Sequence, residues 1–283
     1  MNASEYVLAF RQSFLNRGTA PDALPYDELV DQANAGTVES FDWWNETLRN
    51  SAPQQQYNFS VDGGSEKLRY FFSYGLLDQS ALYENAGFKQ SSIRSNVDAD
   101  ITDRLKFSLN IAGRLENTLR SADVDSEIFS NALRANPLFP VFVDGRPGAE
   151  GLPDGSLGFD GFSGNSVGDA NRNGSDRRDS DYFQTNFQLE YEIPGIEGLT
   201  AKAMYSYDRN VTKQKVFFTP YTSYQLNEAT GEYIPNISDN LSYLDERRGD
   251  FTQQTTQLSL NYKKEFGDHL ISALALYEKI EQK

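Results

Sequence analysis

The 283-residue sequence predicts an all-β chain of long antiparallel strands, and three features predict it. Between 57 and 114 apolar and polar residues alternate with a period of two. Tyr57, Phe59 and Val61 therefore share one face while Asn58, Ser60 and Asp62 share the other, because residues two apart on a strand point the same way. Segments with this pattern are joined by connections that are alternately short and long. Rings also carry much of the apolar surface, with 19 Phe and 16 Tyr in a chain only 38% hydrophobic, and rings suit strands and membrane interfaces. A sheet with one apolar and one polar face must pack on another layer or close on itself.

Residues 1–56 differ in kind and read as a linking segment with short helices. Val7, Phe10 and Phe14 have a loose helical spacing with Ser4 as the expected cap. A Pro-rich stretch at 21–25 follows, then a helical turn or two starting near Asp42 and ending before Pro53. From residue 57 to 283 the pattern is strand after strand: about 57–62, 68–78, 88–101, 105–116, 181–193, 199–212, 250–263 and 269–281. The second carries Leu68, Tyr70, Phe72, Tyr74 and Leu76 on one face. In the third, Ile93, Val97 and Ala99 oppose Arg94, Asn96 and Asp98, and in the fourth Leu105, Phe107, Leu109 and Ile111 oppose Lys106, Ser108, Asn110 and Arg114. The fifth sets Phe183, Thr185, Phe187, Leu189 and Tyr191 against Gln184, Asn186, Gln188 and Glu190. The eighth is apolar on both faces from 270 to 277 except at Ser272, and only its place after the turn at 263–268 makes it a strand.

The connections at 63–67, 102–104, 194–198 and 264–268 are tight, whereas those at 79–87, 117–180 and 213–249 are long. One edge of the sheet is trimmed and the other carries all the elaboration. Antiparallel transmembrane β-barrels have this asymmetry, with short periplasmic turns and long extracellular loops. Charges on the polar face (Arg94, Asp98, Lys106, Arg114) are too many for the dry interior of a closed eight-stranded barrel. The expectation is therefore a fragment of about eight strands from a larger barrel.

Composition narrows the alternatives. Against 26 basic residues stand 41 acidic ones, for a net charge of -15. That field, with no basic aromatic cluster, argues against nucleic-acid binding. With no cysteine, disulfide and thiolate chemistry are excluded, and the redox compartment stays open. The first residues, Met1 to Glu5, have neither a basic start nor an apolar core, so no signal peptide is expected there. No run reaches the length of a membrane helix, although a barrel strand needs only about 9–11 alternating residues.

No catalytic constellation is expected, and the chain reads as a non-enzyme. Its one histidine, His269, lies beside a tight turn, which rules out His-triad and multi-His metal sites within the chain. The pairs Gly63-Gly64 and Gly145/Gly148 lack the Lys and helix of a phosphate loop and read as turns. Asp154, Asp160, Asp169, Asp176 and Asp179 give an oxygen-rich run of the sort calcium uses, but its order does not match an EF-hand. A solvated acidic loop is the reading adopted, so neither a metal nor a cofactor is assigned. A glycosidase pair would need a spatial separation that sequence does not display. The second long loop holds Phe217, Phe218, Tyr221, Tyr224 and Tyr233, rings that either stack on sugars or peptides or pack on one another.

Several motifs carry a family resemblance. They are Phe41-Asp42-Trp43-Trp44-Asn45-Glu46, the run from Ala52 through Tyr57-Asn58-Phe59-Ser60-Val61-Asp62-Gly63-Gly64-Ser65-Glu66-Lys67, and Tyr70-Phe71-Phe72-Ser73-Tyr74-Gly75. To these add Arg94-Ser95-Asn96-Val97-Asp98, Asn136-Pro137-Leu138-Phe139-Pro140 and Ile193-Pro194-Gly195. With them the chain resembles the SusC/RagA-like TonB-linked transporters of the cell outer membrane in Bacteroidetes-type bacteria. The resemblance implies a piece of a 22-stranded barrel that begins after an N-terminal plug. It further implies coupling to TonB through that plug, expected to be missing from these residues, and import of oligosaccharide or peptide with a SusD-like surface lipoprotein among outer-membrane lipids. It carries over no substrate-contact residue. The readings set against it are a soluble carbohydrate-binding β-sandwich and a structural or adhesive surface barrel.

Overall fold

The alternating segments pair into one antiparallel sheet in the computed structural model, which describes residues 1–123, 125–149, 165–227, 230–237 and 240–283. Its eight strands are β1 (Gln54–Gly64), β2 (Leu68–Ser80), β3 (Gly87–Asp100), β4 (Leu105–Arg120), β7 (Gly174–Glu192), β8 (Leu199–Phe218), β11 (Tyr243–Phe266) and β12 (His269–Gln282). They lie in the order β1-β2-β3-β4-β7-β8-β11-β12, each beside its sequence neighbour in the sheet. Two small hairpins complete the strands: β5 (Phe142–Val143) with β6 (Arg146–Pro147), and β9 (Thr222–Asn227) with β10 (Glu232–Ile237).

Register keeps like with like. Phe59 lies opposite Tyr74, Tyr74 opposite Ile93, and Ile93 opposite Gly113. Lower down, Val97, Leu109, Phe187 and Tyr205 form a second row across four strands. A slip of one residue would turn every such row to the other face. The tight turns hold this register. In the third connection Gly198 has φ +85, and a Cβ there would meet Lys263 O at 2.1 Å. Only glycine fits, and its carbonyl accepts the Lys263 N–H at 2.8 Å.

The sheet corrects the expected architecture. It is open: among the described residues β1 pairs only with β2 and β12 only with β11, leaving two free edges, so they do not form a closed transmembrane barrel. The reason is physical. Closing eight strands leaves an interior just wide enough for packed side chains, and the face that would turn inward holds Arg94, Asp98, Lys106 and Arg114. Nor is there a sandwich: among the described residues no second sheet covers the apolar face, and Phe72 and Phe187 are each 38% exposed.

The helices are α1 (Ala3–Asn16), α2 (Val30–Ala35), α3 (Trp43–Thr47), α4 (Asp125–Arg134) and α5 (Ser166–Asn171), with 3-10 turns at Pro21–Ala23 and Asp27–Leu29. Asn2, not Ser4, caps α1. Its Oδ1 accepts from Glu5 N at 2.9 Å and Glu5 Oε2 accepts from Asn2 N at 3.0 Å, a reciprocal capping box. Ser4 Oγ instead accepts from Val38 N, stitching α1 to the segment after α2.

The buried core sits in this helical and loop layer at one end of the sheet. Val7, Tyr26 and Ala33 bury together with Leu138 against them. Trp43, Val141 and Val167 form a second cluster, and Leu48, Tyr83, Ile128 and Ala170 a third. Each joins the N-terminal segment or the β2–β3 connection to the loop between β4 and β7, so these pieces make one cap.

Candidate functional site

The sheet presents two chemically opposite faces. On one, Tyr57, Phe59, Val61, Tyr70, Phe72, Tyr74, Phe183, Phe187, Tyr191, Leu258 and Leu260 are all exposed. Along β7 this apolar band runs from Phe183 to Tyr191, eight residue steps or ~27 Å of strand, close to the ~25 Å apolar band by which a β-protein meets hydrocarbon. Large apolar side chains exposed in one contiguous band mark a surface that meets a partner or a membrane. Toward the cap the same face turns polar at Arg209, which forms a two-bond pair with Asp250 at 3.0 and 2.6 Å.

The other face is a field of amides, hydroxyls and charges. Arg94, Asn96, Asn110, Gln184, Asn186 and Asp208 line one open groove. Beside it, a groove of about 470 Å³ is lined by Phe71, Gln90, Arg94, Arg114, Tyr182 and Gln184. Arg114 lies over the Tyr182 ring, 4.3 Å from its centroid, and pairs with Glu116 at 3.0 Å. Asp98 accepts from Ser108 at 2.6 Å and Lys202 meets Glu190 at 2.8 Å. This face is built for water or polar solute, since unpaired polar groups are costly against hydrocarbon.

The loop rings are spent mostly on the cap. Arg146 stands between Tyr224 and Tyr233, 5.3 and 4.8 Å from their centroids, and Phe218 stacks on Tyr243 at 5.2 Å. Phe217 stays 45% exposed. Tyr221 is the ring sequence could not place, for its hydroxyl sits at the heart of the cap. It accepts from Asn165 N at 2.9 Å and lies 2.9 Å from Asn165 O and 2.6 Å from Asp169 Oδ1. Asp169 Oδ2 accepts from Asn131 Nδ2 at 3.1 Å, and Ser121 Oγ donates to the Asp169 carbonyl at 2.5 Å. Burial pushes the Asp169 carboxyl up to about 6 against the pull of the Tyr221 and Asn131 hydrogen bonds, and nearby Asp123 and Glu127 add to the rise. Burial beside that carboxylate likewise holds the Tyr221 phenol well above its usual range.

The other acidic candidates do not converge. Asp176 accepts from Gln214, Asp179 accepts from Asn117, and Asp154 and Asp160 fall outside the described residues. Among the described residues no three His, Cys, Asp or Glu are grouped to hold a metal ion. With both oxygens of Asp169 engaged by Tyr221 and Asn131, that carboxylate is a structural partner. His269 opens β12 at the turn, and Gly145, at φ +72 beside Asp144 at φ +51, makes the β5–β6 turn.

No protein-family model matches the chain. Over 271 residues it is 29% identical to TonB-dependent receptor P3 of Formosa agariphila, covering 90% of this chain and 24% of that receptor. Its fold is similar to part of the RagAB peptide importer. The 'closed-closed' state gives a TM-score of 0.64 at 21% identity, over 91% of this chain and 28% of that one. The 'open-open' state gives the same TM-score at 23% identity, over 91% and 27%. The chain thus spans about a quarter of the length of these proteins, and it matches one part of a TonB-dependent receptor in sequence and one part of RagAB in fold.

Proposed function

We propose that this chain is a wall segment of an energy-coupled importer in the outer membrane, passing a bulky polar solute, oligosaccharide or peptide, along its polar face. The observation that carries the reading is the two-faced sheet: an exposed apolar band on one side, and amides and charges on the other, with a folded cap at one end. Hydrocarbon satisfies the first face and a wet passage the second. The partial likeness to a TonB-dependent receptor and to a peptide importer supports transport as the role. Coupling to TonB and capture of solute by a SusD-like surface lipoprotein complete the proposal. The chain's own residues then need do no bond chemistry; they bind weakly, exclude lipid and guide.

Cell fractionation with an uptake assay tests this. The full-length protein should stay in the outer membrane after alkaline extraction, and its deletion should abolish accumulation of labelled oligosaccharides or peptides. A protein recovered folded and monomeric from plain buffer would remove the membrane role; normal uptake without it would remove the transport role.

A further inference from the structure

We propose that Asp169 is a proton-operated latch on the cap: protonated, its carboxyl fastens the three segments that meet there, and ionised, it loosens them. The inference stands on the cap's geometry and needs no transport role. Three chain segments converge on this residue: the β4–α4 stretch through Ser121 and Asn131, α5 with its capping Asn165, and the β8–β9 stretch through Tyr221. Asp169 is only 7% exposed, and Asn165 and Ser166 beside it are fully buried.

The hydrogen bonds do not balance in the ionised state. The Tyr221 hydroxyl has one proton and two acceptors within reach, Asp169 Oδ1 at 2.6 Å and Asn165 O at 2.9 Å, while its oxygen already receives the Asn165 N–H. An ionised Asp169 takes that proton, and Asn165 O is left with the Asp169 N–H at 2.8 Å alone. A protonated Asp169 donates to Tyr221 Oη instead, which frees the phenol proton for Asn165 O. The neutral cap therefore makes one more hydrogen bond and buries no net charge, a state favoured where water is excluded.

The acidic neighbours act in the same direction, while Arg134 of α4, bonded to Asn131 Oδ1 at 3.5 Å, is the cation of that stretch. From the β4–α4 stretch, Asp123 and Glu127 both disfavour the anion. The β8–β9 stretch contributes Tyr221, and α3 meets α5 through two neutral side chains, Thr47, hydrogen-bonded to Ser166 at 2.6 Å, and Trp43, packed with Val167. Because the carboxyl's pKa in the closed cap, about 6, lies above its ordinary 3.8, the stabilisation is complete below about 3.8 and is lost as pH rises through about 6. An open cap that restores the ordinary value gives an opening equilibrium about tenfold larger at about pH 8 than at about pH 5.

Hydrogen exchange on the full-length protein reads this. Exchange in 165–173 and 219–224 is normalised to 183–191 in the same sample, so that the chemical pH dependence cancels. The normalised opening of the wild type should rise about tenfold between those pH values. Asp169→Asn, whose amide supplies the donor of the protonated acid, should stay as closed at about pH 8 as the wild type is at about pH 5. A wild-type ratio that does not change with pH overturns the latch and does so without any variant. An Asp169→Asn protein that keeps the pH dependence, or is looser than wild type at about pH 5, overturns it too.

Discussion

The sheet and the cap solve the burial problem in opposite ways. Between its two free edges the sheet pairs its backbone groups in continuous ladders, yet its large side chains lie open, Phe72 and Phe187 among them. In the cap the elements are short, α3 with five residues and α5 with six, yet Val7, Trp43 and Ile128 are buried almost completely. Helices of that length do not persist by themselves. The cap is therefore held by tertiary contacts internal to the chain, whereas the sheet depends on what surrounds it.

That contrast can be broken. Trp43 is buried and donates from Nε1 to Phe139 O at 3.0 Å, so Trp43→Ala should cost the cap ~3–5 kcal/mol. Denaturant melting followed by exchange in the cap segments checks it, with protection in β7 unchanged. Phe187 lies midway along the apolar band, so Phe187→Arg should cost ~2–4 kcal/mol in a bilayer, while Gln188→Arg on the opposite face should cost far less. Urea titration of the protein folded in lipid vesicles separates them, and equal costs would mean that the faces are misassigned. The smallest effect is expected at Asn2→Ala, which removes the α1 cap for ~0.5–2 kcal/mol, read as a shift in the melting of α1 with the sheet unaffected.

The difference between the regions also decides what sequence could tell. Strands announce themselves locally, because Phe183, Phe187 and Tyr191 alternate with Gln184, Gln188 and Glu190 whatever lies elsewhere. Even β12, apolar on both faces over 270–277, is placed by the turn before it. Strand ends were harder. β7 begins at Gly174, well ahead of 181, across the charged stretch Asp176 to Asp179, where alternation fails and side-chain pairs such as Gln214–Asp176 accompany the ladder. Closure depends on whether the first and last strands meet, which alternation does not report; only the charges at Arg94, Asp98, Lys106 and Arg114 spoke against closing eight strands.

The cap was almost silent in sequence. Its ties join residues far apart: Thr47 with Ser166, Trp43 with Phe139, Tyr221 with Asp169. Nothing in the run around Asp169 distinguishes it from the other acids near it in sequence; only the fold brings Tyr221 to it. The same holds for Arg146, whose two ring partners lie in the β9–β10 hairpin.

Site-directed spin labelling tests the two-faced wall most directly. Labels placed singly from 183 to 191 in the full-length protein, reconstituted in lipid, are probed for access to oxygen and to a water-soluble nickel chelate. Odd positions should favour oxygen and even positions the chelate, alternating with each residue. A run in which both sets of positions meet the same medium, or in which 183, 187 and 191 meet neither, would contradict the assignment of one face to lipid and the other to water.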